Sequence, residues 1–132
     1  MRNFYIALLL LVNVACSYNS KPNEFLVGIE NTKNESIEIH DILMAQMGDL
    51  HSLKKDIIAI DSLHKNNDSL VAEIELADKA MWDWMHQFKM NYEGANDSLT
   101  FVYFENKLSS INQVKIKFDS AFAHGRDYLD QR

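Results

Sequence analysis

Three stretches of this chain place apolar residues three or four positions apart, and that spacing restricts the fold more than any other feature. In the first stretch, Ile39, Leu43, Met47, Leu50 and Ile57 share one helical face, with Leu53, Ile58 and Ile60 widening it. The second carries Leu70, Ile74, Ala77, Met81, Trp84 and Phe88, and the third Phe101, Phe104, Leu108, Ile111, Val114, Phe118, Ala121 and Phe122. Lys65-Asn66-Asn67-Asp68-Ser69 breaks the first pattern from the second, and Tyr92-Glu93-Gly94-Ala95-Asn96-Asp97 the second from the third. Connections this short force neighbouring helices antiparallel. The expected fold is therefore all-α, an antiparallel up-down-up three-helix bundle over residues 35–132. Asn34 is the expected cap of a first helix running from Glu35 to about His64. Gly94 suits a left-handed helix end, and Gly125 is expected to weaken the last helix without breaking it. One proline and four glycines in 132 residues argue against a turn-dense β sandwich.

The N-terminus follows a different logic. Met1-Arg2-Asn3 precedes about a dozen apolar residues, too few for a spanning helix of roughly 20, and Val14-Ala15-Cys16-Ser17 follows. This arrangement resembles a bacterial lipoprotein signal, in which the cysteine is acylated and becomes the mature N-terminus; Asn13 stands where that pattern usually carries Leu. Residues 1–15 are thus expected to be a signal peptide, Cys16 the lipidation site, and 16–34 a flexible tether containing Pro22. Multiple acyl chains hold a protein stably on a membrane. No acidic run follows Cys16, which favours an outer-membrane anchor facing the periplasm.

Charge and motifs exclude several functions. Thirteen Lys and Arg against 19 Asp and Glu give a net −6, more negative still without Arg2. That balance does not suit a nucleic-acid partner. The chain has no Gly-rich phosphate loop, no Gly-x-Ser-x-Gly and no His-Glu-x-x-His. With Cys16 assigned to lipid, no cysteine nucleophile is left, and an enzyme is not expected. The carboxylates along the first helix (Asp41, Asp49, Asp56, Asp61) read as a solvated face.

One cluster stands out. His40, Met44, Met47 and His51 are spaced four, three and four apart and share a flank of the first helix, while Met81 and Met85 lie one turn apart on the second. If both helices run straight through the turn near Asn66, Met47 faces Met85 and His51 faces Met81. The plainer reading is core packing, since methionine fills irregular space and sulfur sits well against the neighbouring Trp84. The sharper one is a soft-metal site, in which Met44, Met47, Met81 and Met85 with His40 and His51 bind a copper ion and Asp41 supports an imidazole.

His40-Asp41-x-x-Met44-x-x-Met47 and Ala80-Met81-Trp82-Asp83-Trp84-Met85 resemble the two signature stretches of small Bacteroidetes lipoproteins often labelled "viral A-type inclusion protein", a label without functional content. In that family the second stretch usually resembles Met-Met-x-Trp-Met; Trp82 takes the second Met position here. The resemblance implies a helical, membrane-attached protein and assigns no activity. The expected function is a lipid-anchored, non-enzymatic envelope bundle with a structural or interaction role, either as a homodimer or with an envelope protein partner. Trp82, Phe101 and Tyr103 are the first places to look for an outer seam. Periplasmic copper binding is the alternative.

Overall fold

The computed structural model describes residues 23–60 and 68–131. The signal peptide, Cys16, residues 17–22 of the expected tether and residues 61–67 lie outside these residues. The described residues form three helices, α1 (Glu24–Ile60), α2 (Asp68–Gln87) and α3 (Asp97–Asp130), packed as the antiparallel up-down-up bundle that the spacing predicts.

α1 and α3 run parallel and form the principal contact, with α2 antiparallel to both and packed mainly on α3. At one end the Asn23 side-chain amide donates to Asp97 at 2.8 Å, and Phe25 lies against Phe101 with ring centroids 6.0 Å apart. Toward the other end Leu53 fits over Gly125, where an added Cβ would come within 2.6 Å of the leucine methyl. Gly125 is buried and α3 continues past it to Asp130, so this glycine serves close helix approach and does not fray the helix end.

The stripes form the core. Leu43, Leu50, Ile57, Ile74, Ala77, Met81, Ile111, Phe118 and Ala121 are 1% exposed or less, and Phe104 is buried to the same degree. Full burial of a Leu, Ile or Phe side chain is worth roughly 1.5–3 kcal/mol each. Ile58 and Ile60, expected to widen the first stripe, are instead exposed.

Two local expectations are corrected. The first helix begins at Glu24, not at Glu35, so most of the stretch read as tether is helical. Asn23 starts it: its side-chain oxygen accepts from the Phe25 amide and its carbonyl from the Val27 amide. Asn34 lies within the helix and donates to Glu30 at 3.0 Å. Gly94 does not take a positive φ. An added Cβ there would meet Leu99 and the Thr100 backbone nitrogen at 2.9–3.0 Å, and the Gly94 amide donates to Thr100 Oγ1. Gly94 is small so that the turn can lie on α3. Asn96 caps α3, its side-chain oxygen accepting from the Leu99 amide at 2.9 Å.

Candidate functional site

α2 is shorter than its partners, so beyond Gln87 the turn leading to α3 takes its place along α1. Where helix gives way to turn, a groove of about 250 Å3 opens between α1 and α2, lined by Ile37, His40, Asp41, Trp84, Met85, Phe88 and Met90. Trp84 forms its floor. The indole is 5% exposed and stacked on Phe88 at 4.6 Å, and its Nε1 donates to the Lys107 carbonyl at 3.0 Å. That bond satisfies the one polar atom of the ring and holds its plane.

The aromatic packing continues away from the groove. Phe88 meets Phe104 edge-on at 6.1 Å, Phe104 meets Tyr103 at 5.1 Å, and Tyr103 stacks on Tyr92 at 3.9 Å. The Tyr103 hydroxyl accepts from the Lys89 amide and donates to the Gln87 carbonyl, closing the end of α2. Lys107 sits 5.6 Å from the Tyr103 ring centroid, and burial pushes its ammonium below the ordinary lysine range. The groove floor is therefore a fixed surface.

His40 stands at the rim. Its ring lies 5.6 Å from the Trp84 indole, and Nδ1 is 2.9 Å from Asp41 Oδ1. A carboxylate at that distance accepts the Nδ1 proton, which leaves Nε2 as the free lone pair.

The six side chains expected to converge are distributed between the core, the groove and a surface ion pair. His40 and Met85 share the groove. Met47 and Met81 are core residues at 7% and 0% exposure, and Met44 packs partly buried against the same core. His51 is displaced from the expected pairing: its Nε2 meets Asp78 at 3.2 Å, and Lys54 meets Glu75 one turn further. Of the residues proposed for an outer seam, Trp82 is exposed at 46%, whereas Phe101 packs on Phe25 and Tyr103 on Tyr92. Met90, missed in the sequence because it follows the last periodic position of the second stripe, lines the groove at 56% exposure. Among the described residues no group of three His, Cys, Asp or Glu side chains is placed to hold a metal ion; thioethers are a separate class of donor.

A second polar cluster ties α2 to α3 near the opposite end. Ser120 Oγ donates to Glu73 Oε1 at 2.6 Å, and His124 Nδ1 lies 2.9 Å from Glu73 Oε2. The serine hydroxyl is the main cause holding the Glu73 carboxyl below its usual range; burial opposes it, and the His124 imidazole adds to the lowering. The carboxylate in turn raises the His124 imidazole above its ordinary value. The serine donates to the carboxylate and not to the imidazole, so this is a helix clamp without an activated nucleophile. Glu73 with Ser120 and His124 carries no sequence signature, because the three meet only through the packing of two helices.

In comparisons with known proteins, no family model, no curated protein and no solved structure matches this chain.

Proposed function

We propose that this protein is a lipid-anchored helical bundle of the bacterial cell envelope, non-enzymatic, with a structural or protein-interaction role. The observation that carries the non-enzymatic part is how its reactive groups are used. All four described histidines hold a ring nitrogen against an internal acceptor: His40 on Asp41, His51 on Asp78, His86 on the Trp82 carbonyl and His124 on Glu73. Ser36, Thr32 and Ser110 donate to backbone carbonyls of their own helices. None of these contacts pairs a hydroxyl with an imidazole, the arrangement that would activate a nucleophile.

The anchor rests on Val14-Ala15-Cys16-Ser17 behind its apolar stretch, the resemblance to small Bacteroidetes lipoproteins supports membrane attachment, and the lack of an acidic run after Cys16 favours the outer-membrane, periplasm-facing address. Among the described residues no helix is long and apolar enough to cross a membrane. An interaction role is favoured by Trp82, a large amphipathic ring left half-exposed on α2, since Trp is enriched at binding hot spots.

Two measurements test the reading. Mass spectrometry of the N-terminal peptide from envelopes is expected to find Cys16 acylated and residues 1–15 removed; an intact leader overturns the anchor. Photocrosslinking from position 82 in intact cells is expected to capture one specific partner or a second copy. Repeated recovery of the monomer alone overturns the interaction role.

A further inference from the structure

We infer that the groove between α1 and α2 is a copper(I) site in which His40 Nε2 and the thioethers of Met85 and Met90 are the ligands and the Trp84 indole is the wall. This donor set differs from the one that helical spacing suggests: it leaves Met44, Met47 and Met81 to the core and His51 to Asp78, and recruits a methionine from the turn.

Four observations converge. Two thioethers and one imidazole line a single cavity of about 250 Å3, and soft sulfur with imidazole is the donor class that selects Cu(I) over harder divalent ions. The imidazole is already arranged as a ligand: Asp41 Oδ1 sits 2.9 Å from Nδ1, fixing the tautomer and leaving Nε2 as donor, which is the usual outer-shell arrangement of metal-binding histidines. The Trp84 face lies 5.6 Å from the His40 ring, placing a quadrupole beside the cation. Its own polar atom is occupied by the Lys107 carbonyl, so the indole offers only its face. Finally, Met85 is fixed on α2, whereas Met90 is on the turn with an exposed, unbranched side chain of three rotatable bonds, suited to closing over an ion that has entered. Ile37 and Phe88 complete the lining and keep the set low in charge, appropriate to a monovalent ion.

The test is a Cu(I) titration of the full mature protein against a chromophoric Cu(I) chelator, with any free Cys16 thiol alkylated beforehand. One Cu(I) per chain is expected to be retained, with no retention of Zn(II). Met90→Leu and His40→Phe, which preserve side-chain bulk and the ring against Trp84, are each expected to weaken Cu(I) retention on the order of tenfold, and together to abolish it. Met44→Leu and Met47→Leu leave it unchanged. In a Trp82→Phe background, Cu(I) is expected to quench the remaining Trp84 emission, and Met90→Leu to remove that response. Met90 is exposed, so its replacement reports on the site even where His40→Phe perturbs folding, which circular dichroism of the same samples establishes. No Cu(I) retained by the unaltered protein, retention indifferent to the double variant, or retention that falls only with Met44 or Met47 overturns the assignment.

Discussion

At the scale of single residues, the pair with the clearest electrostatic consequence is Glu73 and His124. Each stabilises the other's charged form, which widens the range of pH over which both are charged together. His124 is raised from its ordinary value of 6.5, so its contribution to stability is complete below that pH and is lost as pH climbs through the folded-state value. Glu73 is lowered from 4.5, so its contribution is present above that pH and is lost as pH falls through its depressed value. The clamp therefore works best between the two ordinary values. NMR titration of the imidazole is expected to place His124 above the ordinary histidine range, and Glu73→Gln to return it toward that range. The melting-temperature deficit of Glu73→Gln is expected to be largest inside this pH window; a deficit independent of pH would show that the carboxylate acts by packing alone. Two glycines make a second residue-scale contrast. Gly48 is exposed on α1 with nothing within 4 Å of an added Cβ, so Gly48→Ala is expected to add about 0.5–1 kcal/mol in urea unfolding. At Gly125 the same methyl meets Leu53 at 2.6 Å, and Leu53 is itself 7% exposed and cannot swing into solvent. Overpacking of about 1–3 kcal/mol outweighs the propensity gain of about 1 kcal/mol there, so Gly125→Ala is expected to destabilise. In a Leu53→Ala background the sign reverses, since the obstructing atoms are gone.

At the scale of elements, the first two turns and more of α1 distinguish this helix from the one that periodicity alone outlines. The segment from Glu24 to Asn34 has no continuous apolar stripe; it is held by spaced contacts and by polar groups bonded within the helix. Phe25 and Gly28 lie against Phe101, Glu30 pairs with Lys33 at 2.9 Å, and Thr32 and Ser36 donate back to carbonyls one turn earlier. Hydrogen exchange is expected to show protected amides over residues 28–34, with Phe25→Ala lowering that protection roughly tenfold while leaving residues 43–57 unchanged. Coil-like exchange over the whole segment would restore the tether reading. This case also marks how far the sequence could be read. Leu43, Met47, Leu50, Leu53 and Ile57 were legible as core because burial imposes the period, and the three helices with their order followed from the breaks between stripes. The Glu24–Asn34 turns were not legible, because a helix that only rests a half-exposed Phe25 and Gly28 against one ring leaves no repeating pattern. The site was legible in part: His40, Asp41 and Met85 were singled out for their chemistry. Trp84 was legible as the core ring beside the methionines, whereas Met90 is set by where α2 stops and the turn crosses α1, which composition does not encode. The same applies to the α1–α2 register, where His51 reaches Asp78 and not Met81, three positions short of the pairing expected from straight helices meeting at Asn66.

For the whole molecule, the position of the anchor sets an orientation. Seven peptide bonds separate Cys16 from Asn23, and an extended chain of that length reaches at most about 25 Å. If Cys16 carries acyl chains, the end of the bundle where α1 begins must stay within that distance of the lipid surface. This end, built from the first turns of α1 and α3 and the α2–α3 turn, exposes Phe25, Leu26, Val27, Met90 and Leu99, each between 44% and 56%. Leu26 and Met90 line one shallow depression there, together with Glu93 and Asp97. Apolar side chains grouped on one end of a tethered bundle favour contact with lipid, while the carboxylates favour zwitterionic over anionic headgroups. Ile58, with similar exposure, lies about 50 Å away along α1 at 1.5 Å per residue. For the lipidated protein in phosphatidylcholine vesicles, a fluorophore at position 26 or 99 is expected to be quenched strongly by doxyl-labelled lipid and one at position 58 hardly at all. Equal quenching at the two ends, on protein shown by mass to be acylated, would mean that the bundle lies flat or tumbles on its tether, and the end-on orientation would fall while the anchor stood. Protection of position 26 from both lipid-borne and aqueous quenchers would instead mean that a second protein surface covers this end.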